Sequence, residues 1–350
     1  MAFPNGLKEL SDQAHQHGLK FGLWLEIENL GDRSQMFRQH PDWCLSYQGK
    51  PVQNDHRSQL DFARPDAREW AYQVVDGLVR ELGLDWIKID YNIDIGERFD
   101  CPDTERGGGM LSGHILSYYA WLDRLRAAHP QLVIENCSSG GMRFDLGILA
   151  HTHTTWLSDM VDPIRSVQLA YGSTLEFLPE VCNHWMVGDS ANGHVDLAKP
   201  PGWWDFMLRV PMNGQFGISS RVFDWNPQLK QHAARAIRDY KRLRRTIQGA
   251  DVYHLTPPPS RNDPEGWLGL EYVSAERQRA LLLAYRLERS PREFTFRLRG
   301  LAPDLSYTVT FDGEARGRQT GRQLADPGLI VSLDAEWRAA LIELEATGQL

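Results

Sequence analysis

The sequence predicts an α/β protein built around a (β/α)8 barrel of the TIM type, followed by a small antiparallel β-domain. Short apolar runs alternate with amphipathic helical stretches up to about residue 250, as in parallel βα units. After the prolines at 257–259, short alternating runs are separated by Pro, Gly and Asp turns. A chain of 350 residues can hold one large and one small domain. We therefore expect a barrel over residues 1–254 and a β-domain over residues 255–350.

The predicted barrel elements follow one another in a regular order. A helix over residues 4–17, with Pro4 in its first turn and Gly18 at its end, opens the chain. The apolar strand patterns lie near residues 19, 58, 84, 131, 154, 181 and 213. A closed barrel needs eight strands, and the opening helix has no strand in front of it. We therefore expect the first barrel strand to be missing from this chain.

Charge and cysteine content exclude several classes of protein. The chain has 38 Lys and Arg against 46 Asp and Glu, a formal charge of −8, which argues against a nucleic-acid partner. No apolar run approaches the length of a membrane span, which argues against a membrane partner. Four widely spaced cysteines suit a reducing compartment and predict a cytoplasmic protein. The sequence leaves a homo-oligomer open.

The stretch LDWIKIDYN at 84–92 is strand material that ends on polar groups. Because side chains alternate along a strand, Trp86, Lys88 and Asp90 share one face. The spacing puts the Lys88 cation roughly 7 Å from Asp90 along the strand, close enough to favour the ionised carboxylate. Asp90 is thus a candidate nucleophile. A buried structural pair of Lys88 and Asp90 remains the alternative.

Other predicted strands also end on polar residues, namely Glu26, Glu28, Glu135, Asn136, Ser158 and Asp159. In a barrel of this type the active site lies at the carboxyl ends of the strands. Two carboxylates that arrive there from different strands are what glycoside hydrolysis requires. Asp159 follows Trp156 and Leu157, and apolar neighbours suit a group that must keep a proton to donate. A helix N-cap is the alternative role for Asp159.

Histidines raise the alternative of a metal-dependent hydrolase. His151 and His153 form an HxH pattern, but they precede a strand and so belong to the non-catalytic end of a barrel. We expect both to be structural, and we expect neither a metal nor a cofactor. His184 is a better pocket candidate. The glycines at 107–109 are not followed by a phosphate-loop Lys-Ser or Lys-Thr, so we interpret them as part of a flexible loop over the barrel mouth.

Four segments together resemble glycoside hydrolase family 36, whose best-known members are retaining α-galactosidases. They are FPNGLKEL with GLKFGLWLEIE, RSQLDFARP, WIKIDYN, and ENCSSGGMRFDLGIL followed by WLSD. The tail from residue 255 also looks like the C-terminal β-domain of that family. By motif, the resemblance implies that Asp90 is the nucleophile and Asp159 the acid/base. It further implies a sugar pocket lined by Trp24, Arg57, Lys88, Asn92, Cys137, Gly140 and Arg143.

The resemblance also implies the chemistry. Family members use a metal-free double displacement that retains configuration, with terminal α-galactosides of small oligosaccharides as substrates. Retention predicts carboxyl groups about 5 to 5.5 Å apart. An α-N-acetylgalactosaminidase, a galactosyl-transferring relative and an inactive truncated fragment are the alternatives.

This sequence departs from the family pattern in several places. An aspartate pair on the first strand and an N-terminal β-sandwich have no counterpart in the chain. Ile89 stands where the family usually has Trp, and Met160 replaces a polar residue. We therefore expect a divergent branch, and strongly reduced activity for this chain compared with a version extended by the first strand.

Overall fold

A computed structural model describes residues 3–92 and 109–349 of the chain. The chain divides into two compact units, Met1–Trp156 and Leu157–Leu350. The loop predicted to cover the barrel mouth, which contains Cys101 and the glycines at 107 and 108, lies outside the described residues.

The first unit alternates helices with short strands. Its helices are α1 Gly6–Gln16, α2 Gln35–Gln39, α3 Pro65–Leu82, α4 Gly109–Ala128 and α5 Leu146–His151. Its strands are β1 Gly22–Leu25, β2 Asn29–Gly31, β3 Ser46–Tyr47, β4 Lys50–Pro51, β5 Gln53–Asn54, β6 Arg57–Gln59, β7 Trp86–Ile89, β8 Val133–Asn136 and β9 Thr154–Trp156.

Parallel strands β1, β7, β8 and β9 form the sheet of this unit, in that order. Their register is regular: Trp24 lies opposite Lys88, and Lys88 lies opposite Glu135. The helices that connect them are amphipathic, and α3 buries its Ala67, Ala71 and Val75 stripe. Parallel strands with helical crossovers agree with the βα pattern of the sequence.

The strand predicted near residue 58 does not belong to the parallel sheet. It is the short strand β6, which pairs antiparallel with β2 and with β5. The β5–β6 connection is a two-residue turn in which Asp55 and His56 both have positive φ angles (47° and 63°). Such a turn closes a hairpin, so β6 is hydrogen-bonded within a separate three-stranded sheet and β1 pairs directly with β7.

The core of the first unit is apolar and aromatic. Phe62 and Trp121 are fully buried, and their rings meet edge to face with centroids 5.4 Å apart. Tyr118 makes a similar edge contact with Phe62 at 5.0 Å. These α4 side chains pack against the loop that follows β6 and so hold that loop in place.

The second unit contains two further parallel strands and a larger antiparallel part. Its helices are α6 Pro163–Ser173, α7 Pro201–Arg209, α8 Pro227–Ile247 and α9 Gly321–Ala325. Its strands are β10 Cys182–Met186, β11 Gln215–Ile218, β12 Asp251–His254, β13 Trp267–Val273, β14 Arg279–Arg286, β15 Glu293–Phe296, β16 Leu305–Phe311, β17 Glu314–Thr320, β18 Leu329–Ser332 and β19 Arg338–Gln349.

Strands β10 and β11 pair in parallel, which agrees with the sequence pattern, whereas α7 has no counterpart among the predicted elements. Strands β12 to β14, β16, β17 and β19 form one antiparallel sheet, and β15 pairs with β18. The predicted antiparallel β-domain is therefore present at the end of the chain. The start of that domain at residue 255 stays a prediction.

The long basic stretch of the sequence lies on α8. Lys241, Arg242, Arg244 and Arg245 are exposed, while Leu243 and Ile247 of the same helix are buried. The cations therefore form a solvated helix face, as the helical pattern predicts. None of the helices in the described ranges is long and apolar enough to cross a membrane.

Gly77 inside α3 and Gly83 at its C-terminal end allow a paired test of how glycine contributes to stability at the two positions. Gly83 ends the helix with φ at 66°, in the left-handed region, whereas Gly77 lies inside the helix with nothing within 4 Å of an added Cβ. We expect Gly83→Ala to lower the free energy of unfolding by about 1 kcal/mol. Gly77→Ala should raise it by about 0.5 to 1 kcal/mol, because it removes backbone freedom from the unfolded chain. Urea unfolding measures both, and equal effects in the same direction would contradict this view of the cap.

Candidate active site

Polar side chains gather where β1, β7 and β8 end. The residues that directly follow these strands keep the same parallel pairing with the neighbouring strand. The Asp90 backbone N–H donates to Leu25 O at 2.8 Å, and the Cys137 N–H donates to Ile89 O at 2.9 Å. The ends of three strands thus bring Glu26, Asp90 and Cys137 to one edge of the sheet.

Asp90 is held by several hydrogen bonds although its side chain is buried. The indole Nε1 of Trp24 donates to Oδ2 at 3.0 Å. The backbone N–H groups of Tyr91 and Ser139 donate to Oδ1 at 2.9 and 3.3 Å. A carboxylate with this many donors can be buried in its charged form.

These donors outweigh the effect of burial on Asp90. Burial alone would raise the pKa of this carboxyl group, but hydrogen bonds from Asn92, Cys137, Trp24 and Tyr91 together lower it below its usual value. Asp90 is therefore ionised at neutral pH.

Cys137 is a neutral donor in this arrangement. Burial is the main reason that the pKa of its thiol rises to about 12, and the hydrogen bond to Asp90 acts in the same direction. The side chain therefore stays a thiol and gives its proton to the hydrogen bond with Asp90. A thiol in this state is a poor nucleophile.

A second chain of contacts starts at Glu26. Arg57 Nη1 lies 2.8 Å from Glu26 Oε1, and Asn92 Nδ2 donates to the same oxygen at 2.5 Å. Ser139 Oγ in turn donates to Asn92 Oδ1 at 2.8 Å. The chain fixes Asn92, which is also one of the donors that lower the pKa of Asp90.

Arg143 forms a largely buried ion pair with Glu28. Its guanidinium donates twice to Glu28, at 2.9 and 3.0 Å, and once to Asn136 Oδ1 at 3.2 Å. Burial would lower the pKa of Arg143, but the Glu28 carboxylate raises it above its usual value. The two-pronged pair orients the loop after β8 by joining it to the end of β1.

Lys88 has surroundings that the sequence did not predict. Its ammonium group lies 3.7 Å from Glu135 Oε1 and 3.9 Å from the ring centroid of Trp156. Glu135 also accepts a hydrogen bond from Trp86 Nε1 at 2.8 Å. The register explains the difference, because Lys88 lies directly opposite Glu135 on β8, whereas Asp90 follows two residues later, just beyond the end of β7.

Gly140 shapes the loop between β8 and α5. It has φ at 87°, and the preceding Ser139 has φ at 43°. Ser138 N–H donates to Gly140 O at 2.9 Å, which closes a tight turn. This turn aims the Ser139 N–H at Asp90, so a side chain at position 140 would strain it.

Asp159 lies in the second unit, in the loop between β9 and α6, and its side chain is exposed. Two residues earlier, Leu157 N–H donates to Asn183 O of β10 at 3.4 Å. Within the part of the chain that the structure describes, this exposure gives no support to the apolar surroundings predicted for Asp159. Trp156 is buried and faces Lys88 instead.

The three histidines considered in the sequence analysis, His151, His153 and His184, have different surroundings from one another. His151 Nδ1 lies 2.9 Å from Asp123 Oδ1, and His153 Nδ1 accepts the Ile134 N–H at 3.0 Å. His184 is buried on β10, and burial lowers its pKa to about 4, so the ring is neutral at neutral pH. Across the described ranges, no three His, Cys, Asp or Glu side chains are grouped so that they could hold a metal ion.

Eight of the nine site residues predicted from the sequence lie in the first unit, at or near the ends of its strands. The exception is Asp159. Several contacting groups lie outside these nine residues, among them Glu26, Glu28 and Glu135 and the backbone N–H groups of Tyr91 and Ser139. The sequence analysis names Glu26 and Glu28 as polar ends of the first strand pattern, on the same face as Trp24, but assigns them no role in the site. The Ser139 N–H depends on a loop conformation that no side-chain pattern encodes.

Two family models match the chain. Residues 1–250 match the melibiase model, and residues 267–344 match the C-terminal domain of glycosyl hydrolase family 36. The matched segments follow one another along the chain in the order that the sequence predicts for a barrel followed by a β-domain.

Comparison with individual proteins also finds similarity to alpha-galactosidases. Alpha-galactosidase 2 of Pediococcus pentosaceus is 31% identical over 98% of this chain and 46% of its own. The solved structure of a family-36 alpha-galactosidase from Geobacillus stearothermophilus, in complex with raffinose, matches with a TM-score of 0.86 and 26% identity. It covers 98% of this chain and 47% of that one. Another form of that enzyme, in complex with stachyose, matches equally well.

The chain spans about half the length of the curated relatives it matches. Within that span, the structural similarity covers both the parallel α/β part and the C-terminal β-domain, and it confirms the barrel-type fold class predicted from the sequence. The chain belongs to the melibiase proteins of glycoside hydrolase family 36.

Proposed function

We propose that this protein is a retaining α-galactosidase that releases terminal α-galactose from small oligosaccharides. The observation that carries this proposal is Asp90, a buried carboxylate kept ionised by hydrogen bonds at the carboxyl end of a parallel strand. Its geometry suits attack on an anomeric carbon. Membership of a family whose named relatives are alpha-galactosidases supports the choice of sugar.

In the first step, an Asp90 oxygen attacks the anomeric carbon of the galactose, and the bond from that carbon to the leaving oxygen breaks. Asp159 gives its proton to the leaving oxygen. The product is a galactosyl ester on Asp90, and the shortened sugar departs as a neutral alcohol.

In the second step, Asp159 acts as a base. It takes a proton from a water molecule, whose oxygen attacks the anomeric carbon and displaces the Asp90 carboxylate. Two inversions at the same carbon leave the released galactose with its original α configuration. This chemistry requires the two carboxyl groups to lie about 5 to 5.5 Å apart when substrate is bound.

The neighbours of Asp90 have supporting roles in this mechanism. Trp24 and Cys137 hold the carboxylate in its charged form, and Trp24 is 53% exposed, so part of its ring is available to a sugar. Arg57 and Asn92 present N–H groups around Glu26. Lys88, Gly140 and Arg143 shape the pocket through Glu135, the 138–141 turn and Glu28.

Raffinose and stachyose are reasonable substrates, because relatives have been crystallised with them. A panel of nitrophenyl glycosides tests the sugar. We expect release of nitrophenol from the α-galactoside and much slower release from the α-N-acetylgalactosaminide. Hydrolysis of the second compound alone would contradict the proposal.

Stereochemistry gives a test of the two-step mechanism. Proton NMR during hydrolysis of nitrophenyl α-galactoside should show α-galactose as the first product, with the β-anomer growing in later by mutarotation. If β-galactose appears first, the reaction is a single displacement. In that case no galactosyl ester forms on Asp90, and its role as the nucleophile is excluded.

The two aspartates should differ in their response to the leaving group. Asp90→Asn should abolish turnover of every galactoside, because no ester can form. Asp159→Asn should slow raffinose hydrolysis by about 10²- to 10⁴-fold, but should slow the first step for dinitrophenyl galactoside much less, because that leaving group needs no proton. Steady-state and burst kinetics measure this contrast. Equal losses on both substrates would contradict the role of Asp159.

The indole of Trp24 should set the acid limb of the pH profile. Because its N–H stabilises ionised Asp90, Trp24→Phe should raise the pKa of that carboxyl group. The nucleophile must be ionised, so the acid limb of kcat/KM should move to higher pH. Trp43→Phe is the matched control, since the Trp43 indole donates to Asp66. An unmoved acid limb in Trp24→Phe would contradict the assignment.

A further inference from the structure

Lys88 and Glu135 form an ion pair across strands β7 and β8 of the first unit. Lys88 Nζ lies 3.7 Å from Glu135 Oε1, and the two residues lie directly opposite each other in the sheet. Glu135 is almost completely buried, and Lys88 is mostly buried. A buried charge is costly without its partner, so each of these side chains restrains the other.

A second contact fixes the Glu135 carboxylate. Trp86 Nε1 donates to its other oxygen, Oε2, at 2.8 Å. Trp86 and Lys88 lie two residues apart on one strand and so share a face, which lets Glu135 contact both from the neighbouring strand. The Lys88 ammonium group also lies over the indole of Trp156 on β9, with Nζ 3.9 Å from the ring centroid. Neighbouring strands therefore fix the place of this ammonium group.

Asp90 is a second carboxylate on the same face as Lys88. It follows Lys88 by two residues, and its backbone continues the pairing with β1. Because the aliphatic stem of lysine is flexible, the ammonium group can turn along the strand towards Asp90 as well as across it towards Glu135. Its charge already acts on a neighbour of Asp90. Burial raises the pKa of the Cys137 thiol to about 12, and the Lys88 cation opposes that rise.

Neutral groups donate hydrogen bonds to Asp90. Burial would raise its pKa, but these hydrogen bonds lower it, and they come from Asn92, Cys137, Trp24 and Tyr91. A carboxylate in an ion pair with a lysine is a weaker nucleophile, because the cation stabilises the charge that must pass into the new bond. Attack on an anomeric carbon is therefore favoured when the lysine is held elsewhere.

Two further ion pairs lie at this edge of the sheet, namely Glu26 with Arg57 and Glu28 with Arg143. Each arginine donates to its own glutamate, so a change at Glu135 leaves these charges balanced. The Cys137 thiol, which is titratable and donates to Asp90, is neutral. Lys88 is thus the cation whose surroundings a change at Glu135 would alter.

We propose that Glu135 is a positioning residue, which holds the Lys88 ammonium group across the sheet and so keeps it from forming an ion pair with Asp90. The inference deepens the proposed function, because it takes Asp90 as the nucleophile. It gives a role to a buried carboxylate that acts through another side chain.

Two variants test this role, with the pKa of Asp90 as the readout. Carbon-13 NMR of protein labelled at its aspartate carboxyl groups measures that pKa, and Asp90→Asn assigns the signal. Glu135→Gln keeps the side-chain volume and an oxygen for the Trp86 indole but releases Lys88, so the pKa of Asp90 should fall by about one unit. Adding Lys88→Met should return it to the value of the unmodified protein. An unmoved pKa in Glu135→Gln, or a lowered pKa that persists in the double variant, would overturn the proposal.

The matched control is Asp85→Asn, because Asp85 pairs with Lys20 next to the opposite end of β7. It should leave the pKa of Asp90 unmoved. Thermal unfolding shows whether each variant is folded. If Glu135→Gln is unfolded, the double variant with Lys88→Met still gives a test, because it removes both charges of the pair. Its Asp90 pKa should then match that of the unmodified protein, and a shift of about one unit would reject the role.

Kinetics keep this role separate from the proposed hydrolysis. In Glu135→Gln, the acid limb of kcat/KM for nitrophenyl α-galactoside should move to lower pH together with the pKa of Asp90, and kcat should fall because the nucleophile is paired. If no galactoside is cleaved but the NMR result is found, the hydrolytic function fails and the role of Glu135 stands. Cleavage with an unmoved Asp90 pKa in Glu135→Gln would reject the role of Glu135 alone.

Discussion

The in-register pairing of parallel strands β1, β7 and β8 is the constraint on which the rest of the candidate site depends. It places Trp24, Lys88 and Glu135 in one row, and Asp90 with Cys137 one step beyond the strand ends. Because side chains alternate along strands, a slip of one residue would turn each of them to the other face of the sheet. The chemistry of the site follows from backbone pairing.

Burial makes the charges of this site costly, and their partners offset that cost. Glu28 is almost fully buried and receives two hydrogen bonds from Arg143, while Asp90 receives donors from an indole, a thiol and two backbone N–H groups. Each carboxylate is compensated by groups of other chain segments. The contacts that allow the Asp90 carboxylate to be buried therefore also keep it ionised.

The two units hold their candidate functional segments in different ways. In the first, strand ends and a tight turn fix side chains around one carboxylate. In the second, Asp159 lies on an exposed loop whose neighbours Ser158 and Met160 are fastened to α6 and line a groove of moderate volume.

The sequence by itself determined the βα order and the late β-domain, and it marked Asp90 as the candidate nucleophile, because alternation along a strand and the polar ends of apolar runs are local signals. The tertiary structure alone decided that the strand near residue 58 leaves the parallel sheet, since two residues with positive φ close it into a hairpin. It also decided that Lys88 faces Glu135, because the register between strands is not encoded in either strand alone. The Ser139 N–H and the groove beside Asp159 arise from loop conformations that depend on distant partners, and such contacts have no periodic signature in a sequence.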